Sequence, residues 1–225
     1  MIITIDGPSG TGKSTVARKV ADRLHFVYFD TGAMYRAFTW FVLQHNVDVS
    51  DLQGIQKLLE KFDFKIVEKG GEKHYFVDGH DVTLIIRSRP VTAHVSAVSA
   101  IKEVRSYLLK TQHDFAKTRD AVFEGRDLGT VIFPHAEVKI FLTAEPLVRA
   151  ERRLNEILEK KPEEALGISR LQMLNDIVKR DEYDSTREVA PLRCPPDAYQ
   201  IDTTHLSIDQ VVDQVVNYTL EKRSK

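Results

Sequence analysis

The sequence predicts an α/β protein built on a doubly wound, mainly parallel sheet. Two observations predict it. Short β-branched strands alternate with amphipathic helices along most of the chain. The first strand also runs through a glycine-rich loop straight into a helix. A third feature, a hairpin pattern near residue 70, breaks the alternation and predicts a small antiparallel insertion.

The elements follow in order. Residues 2–5 are β-branched and uncharged and stop at Gly7-Pro8, as a buried strand does. From 14 to 25, Val16, Val20 and Leu24 recur every four residues with Ala17 and Ala21 beside them, which is one helix face. Residues 27–29 read as a second strand. Helices are expected over 33–45 and 51–62, the latter capped near Asp51, with Trp40 and Phe41 in the core. Strands at 64–67 and 74–77 flank Gly70-Gly71, so the insertion should lie near 63–84. Helical patterning returns over 91–117, and strands follow at 121–123 and 138–142. The second of these is nearly all apolar, as central parallel strands are. Charged amphipathic helices at 147–160 and 169–182, a strand at 198–201 and a helix at 208–220 complete the chain.

At 225 residues the chain fits one large domain, or one domain with a small insertion. Hydrophobic residues make up 42% and charged residues 29%, so a core can form without staples. The single cysteine, Cys194, excludes an internal disulfide and Cys-rich zinc sites. With 32 basic and 33 acidic residues the net charge is -1, which gives no reason to expect a nucleic acid polymer or a membrane as partner. No apolar run approaches the ~20 residues of a membrane span, and residues 1–6 carry no basic leader. A cytoplasmic protein is expected.

Gly7-Pro8-Ser9-Gly10-Thr11-Gly12-Lys13-Ser14, followed by Thr15, fits G-x-x-x-x-G-K-[ST] at every fixed position. Glycines let backbone N–H groups ring a phosphate without Cβ obstruction. Lys13 supplies a cation to the β- and γ-phosphates, Ser14 a hydroxyl to Mg²⁺ that arrives with ATP, and the following helix its positive end. A chance match has a probability of about 1% at ordinary residue frequencies. Residues 7–15 are therefore the expected ATP site, in a P-loop NTPase-type fold. A P-loop alone does not choose between a switch GTPase, an ATPase motor and a small-molecule kinase.

The rest of the chain bears on that choice. Arg36 follows Thr31-Gly32 near a helix start, where a guanidinium fork can hold a phosphate, although alone it also reads as a solvated helix arginine. Glu124-Gly125-Arg126-Asp127 follows the 121–123 strand, at the end where open α/β sheets carry ligands; a salt-bridged turn is the plainer alternative. Arg180, Asp184 and Arg187 are spaced to share a helical face, either as a phosphate clamp or as a solvated ion-pair face. With Arg149, Arg152 and Arg153 on the preceding helix they suggest a lid over roughly 147–187. The eight histidines show no metal-ligand spacing, and Cys194 shows no sign of being a nucleophile.

Taken together, these motifs resemble the bacterial cytidylate kinases of the nucleoside monophosphate kinase family. The resemblance rests on residues 3–13, 30–36, 125–134, 138–142, 180–184 and 190–192, and so spans essentially the whole chain. It implies one P-loop kinase unit over 1–225, with a monophosphate-binding region over about 31–105 that includes the insertion. It implies transfer of the ATP γ-phosphoryl group to CMP or dCMP with Mg²⁺, by a monomer. Thr31, Arg36, Ser96, Arg105, Arg126, Asp127, Asp184 and Arg187 are the implied CMP contacts, and Lys13, Arg126, Asp127, Arg180 and Arg187 the implied catalytic set. Thr31 stands where the family often has serine, Tyr183 where some members have arginine, and Arg193-Cys194 replaces small apolar residues. UMP, AMP and dephospho-coenzyme A remain alternative acceptors. A switch GTPase should carry an N-K-x-D motif, and none is present.

Overall fold

Along the chain the elements run β1 (Ile2–Asp6), α1 (Lys13–Leu24), β2 (Val27–Asp30), α2 (Thr31–Gln44), α3 (Leu52–Lys61), β3 (Phe64–Lys69), β4 (Glu72–Val77) and β5 (His80–Asp81). They continue with α4 (Arg89–Ala100), α5 (Lys102–Ala116), β6 (Ala121–Glu124), β7 (Val138–Thr143), α6 (Pro146–Lys160), α7 (Pro162–Ala165), α8 (Arg170–Thr186), β8 (Tyr199–Asp202) and α9 (Ile208–Arg223). A 3₁₀ turn at Ile85–Arg87 precedes α4, and a π turn at Leu128–Ile132 follows β6. The structure, a computed structural model, describes residues 1–224 except Gly71, Thr118, Lys161 and Leu166. They fall into two units, Met1–Phe29 with Ala116–Lys225, and Asp30–Phe115.

The first unit carries the five-stranded sheet, in the order β2-β6-β1-β7-β8. β1 pairs in parallel with β6 (Ile3 with Val122) and with β7 (Ile3 with Val138), and β7 pairs in parallel with β8. The strand order reverses at β1, so the carboxyl end of β1 is the topological switch point where open α/β sheets bind ligands. The spacing that predicts α1 is the spacing that buries it. Val16, Ala17 and Val20 pack with Ile3, Ile5, Ile140 and Leu142 of the strands and with Val211, Val212 and Val215 of α9. Each valine, isoleucine or leucine among them stabilises the fold by about 1.5–3 kcal/mol. A separate small core joins α6 and α8 through Ala150, Met173 and Ile177.

In the second unit Met34, Phe38 and Val42 of α2 are buried, as are Ile55, Leu59, Tyr75, Val91, Val98 and Leu108. Phe38 and Phe62 meet edge to face at 5.1 Å. Trp40, expected in the core, is half-buried, whereas its neighbour Phe41 is buried; residues one apart face different directions on a helix. β3, β4 and β5 form the antiparallel sheet, with Phe64 opposite Val77. Gly70 turns left-handed at φ +60°, while Gly71, the other half of the expected turn, lies outside the described residues. The 91–117 helix is two helices, because Ile101 is extended between them. Apolar periodicity continues through that residue, so the sequence hides the break.

Candidate active site

The glycine loop joins β1 to α1 in the first unit. Gly7 has φ +145°, and a Cβ there would lie 2.1 Å from the Leu142 carbonyl oxygen, so no other residue fits. Gly12, left-handed at φ +90°, is the N-cap of α1 and provides no capping side chain for the first N–H groups of the helix, which suits them to an anion. Thr11 Oγ1 donates to the Pro8 carbonyl at 3.1 Å, and Lys13 Nζ donates to the same oxygen at 2.6 Å. Lys13 is buried. Burial, followed by the positive charge of Arg126, holds its ammonium well below the usual lysine range, and Arg180 adds to the effect.

Two carboxylates flank the loop. Glu124, at the end of β6, accepts from Ser14 Oγ at 2.8 Å and from the Tyr28 hydroxyl. Asp6, at the end of β1, accepts from the Leu128 and Gly129 amides at 3.0 and 2.8 Å. Burial nevertheless pushes its carboxyl up to about 7. Among the described residues no group of three His, Cys, Asp or Glu side chains could hold a metal. The Ser14 hydroxyl beside the Glu124 carboxylate is instead a hard-oxygen pair. It fits Mg²⁺, an ion that keeps most of its ligands as water and substrate phosphate.

The arginines and aspartates expected from the sequence meet in two pairs. Arg126 Nε lies 3.3 Å from Asp184 Oδ2, and Arg187 Nη2 lies 3.2 Å from Asp127 Oδ1. Arg180 is 3.9 Å from Asp184, and its Nε is buried with no hydrogen-bond partner among the described residues. Burial, and next the charge of Arg126, lowers the Arg180 guanidinium to about 10. Arg180 and Asp184 stand on α8 as their spacing predicts. Arg187 does not share that helical face: it is the C-cap, in extended backbone, and also donates to the Ala190 carbonyl at 2.7 Å.

The three candidate lid arginines occupy different settings. Arg149 is buried and donates to the carbonyls of Ala144 and Ser9. Arg152 donates to Thr203 Oγ1 and to the Thr203 carbonyl. Arg153 pairs with Glu156 at 2.6 Å. Cys194 donates to the Pro195 carbonyl at 3.4 Å, and burial raises its thiol pKa.

In the second unit, Asp30 caps α2 by accepting from the Ala33 amide at 2.8 Å and pairs with Arg87 at 2.8 Å. Thr31 is the first residue of α2 and is buried. Arg36, one turn on, donates to Thr92 Oγ1 of α4 at 2.8 Å and to the Ile86 carbonyl at 3.2 Å. Ser96 is half-buried on α4. Arg105 of α5 is buried, donates to the Ser99 carbonyl and lies 5.5 Å from the centre of the Tyr35 ring. The helices α2, α4 and α5 thus bear all four of these expected residues.

Sequence reasoning missed Asp6, Glu124, Arg87 and Asp181. Glu124 carried a signal: it is the last strand residue before Gly125-Arg126-Asp127, a position at the carboxyl end of the sheet. Arg87 carried none, because a short 3₁₀ turn has no periodicity.

A family profile described as cytidylate kinase matches residues 3–221. A cytidylate kinase from Protochlamydia amoebophila is 51% identical over 218 residues, covering 97% of this chain and 96% of that protein. One from Carboxydothermus hydrogenoformans is 47% identical over 216 residues, covering 96% of each. A gluconokinase structure from Sinorhizobium meliloti superimposes with a TM-score of 0.50 at 12% identity, covering 99% of this chain and 97% of that one, which is a likeness of fold. With a matching profile across nearly its whole length and relatives near half identity, the chain belongs to the cytidylate kinase family.

Proposed function

We propose that the protein transfers the γ-phosphoryl group of ATP to the 5′-phosphate of CMP or dCMP, giving ADP and CDP or dCDP. The observation that carries this reading is the meeting of Lys13, Arg126 and Arg180 beside the glycine loop. Each arginine depresses the lysine, and Arg180 keeps an unmade buried hydrogen bond. Asp184 and Glu124 offset part of this positive charge, and a further anion would lower the cost that remains. A triphosphate gaining charge in a transition state is that anion.

The acceptor phosphate is already ionised at neutral pH, so no strong general base is required. One of its oxygens bonds to the γ-phosphorus as the bond to the ADP oxygen breaks. Positioning and charge neutralisation supply the rate. The 7–15 loop would hold the ATP phosphates, with Lys13 on the β- and γ-groups. Ser14 and Glu124 would hold Mg²⁺ through hydroxyl and carboxylate, and the ion neutralises phosphate charge when bound. Arg126, Arg180 and Arg187 would take transferring or acceptor phosphate oxygens. Asp127 and Asp184 would accept from ribose hydroxyls. Thr31 and Arg36 would bind the CMP phosphate, and Ser96 and Arg105 the cytosine. Residues 1–225 would act as one kinase unit, with 31–105 as its monophosphate-binding region and 147–187 as its lid, in a cytoplasmic monomer.

The test is product identity. With Mg·ATP and CMP, phosphorus NMR should show the two resonances of CDP growing as CMP is consumed. Phosphate release with CMP untouched would contradict the proposal.

A further inference from the structure

Arg149, at the foot of α6, has only 5% of its side chain exposed. Its Nη1 donates to the Ser9 carbonyl at 3.0 Å and its Nε to the Ala144 carbonyl at 2.9 Å. The same Nη1 lies 2.6 Å from Asp181 Oδ2 on α8. Its backbone also presses on the loop: a Cβ on Gly10 would lie 2.8 Å from the Arg149 carbonyl oxygen. One side chain therefore joins the phosphate loop, the turn after β7, and α8. Its Nε and Nη1 both face protein oxygens.

The far end of this chain of contacts is unsaturated. Asp181 Oδ1 is buried with no hydrogen-bond partner among the described residues, and so is Nε of Arg180, the preceding residue. Unmade buried hydrogen bonds are costly, so this turn of α8 is held short of its best arrangement. A shift of the Ser9 carbonyl, which the closing of loop amides on phosphate would produce, pulls on Arg149. Arg149 then pulls on Asp181, and Asp181 moves the turn that carries Arg180.

We propose that Arg149 and Asp181 are positioning residues that couple the state of the phosphate loop to the placement of Arg180. The kinetic consequence rests on the kinase reading above; the coupling itself does not.

Two measurements test it. The first is amide hydrogen exchange over 170–186 in the full-length protein with and without ATP and Mg²⁺, with no acceptor present. ATP should slow exchange there in the wild type and not in Asp181→Asn, while exchange over the 7–15 loop is slowed in both. Equal slowing of α8 in both proteins, or none in the wild type, overturns the coupling. The second is a double-mutant cycle on turnover. Asp181→Asn should lower kcat about 10- to 100-fold, the cost of a small misplacement, with KM for ATP changed less than about threefold. In an Arg180→Ala background the same change should cost nothing further. Multiplicative losses would overturn the assignment, because Asp181 would then act independently of Arg180. Arg149→Lys, which keeps one donor, should recover part of the turnover that Arg149→Met loses. If the exchange result holds but the wild type does not phosphorylate CMP, the kinase reading fails and the coupling stands.

Discussion

Ser14 Oγ donates to Glu124 Oε2 at 2.8 Å, joining the loop hydroxyl to the carboxylate at the end of the neighbouring strand. Glu124 ends β6, and Ser14 stands in the first turn of α1, the helix that the loop after β1 leads into. Glu124→Gln keeps an acceptor for one of Ser14 and Tyr28 and removes the charge. The Mg²⁺ concentration for half-maximal turnover should rise about tenfold or more, with the fold intact by circular dichroism. An unchanged Mg²⁺ dependence would take Glu124 out of the metal's surroundings.

Burial and the charges of Arg126 and Arg180 outweigh those of Glu124 and Asp6 at the Lys13 ammonium, so its charged form is less favourable folded than unfolded. Lys13→Met keeps most of the stem and removes the charge. Turnover should fall by about 10²- to 10³-fold or more, while the thermal midpoint of the nucleotide-free protein stays level or rises. Calorimetry showing a clear drop in midpoint would mean that the lysine is structural.

Arg36 donates through Nη1 to the Ile86 carbonyl and to Thr92 Oγ1, and a guanidinium near a helix start can hold a phosphate through paired donors. Arg36→Ala should raise KM for CMP about 10- to 100-fold and leave KM for ATP within about threefold. Steady-state kinetics with each substrate varied in turn decide this, and equal effects on both would argue against a monophosphate role.

Asp6 makes stability depend on pH. Its folded value of about 7 lies above its unfolded value near 3.8, so between those limits the folded state holds a proton that the unfolded state has lost. The contribution of Asp6 to stability therefore falls as pH rises from about 4 to about 7 and is level above that. Asp6→Asn has no such proton. Its thermal midpoint relative to the wild type should move upward between pH 5 and pH 8. A constant difference across that range would place the carboxyl at an ordinary value.

The alternation of strands and helices was legible because each element buries one periodic face, as Val16 and Val20 of α1 do. The loop was legible because its chemistry fixes residue types at consecutive positions, down to the carbonyl contact that requires Gly7. The break at Ile101 was hidden, since the apolar pattern does not record a single extended residue. The spacing of Arg180, Asp184 and Arg187 suggested one face, but α8 ends first and backbone geometry after it carries Arg187 to Asp127. The settings of Arg149 and Arg152 were illegible for a related reason. Their partners, Ser9, Asp181 and Thr203, come from segments far away in sequence that only the folded sheet assembles.

The choice of acceptor is decided by ADP release from Mg·ATP with CMP, dCMP, UMP, AMP, GMP, shikimate or no acceptor, compared as kcat/KM. CMP and dCMP should give the highest values, and ADP release without an acceptor should be far slower. A higher value for any other acceptor, or release that no acceptor stimulates, would contradict the assignment.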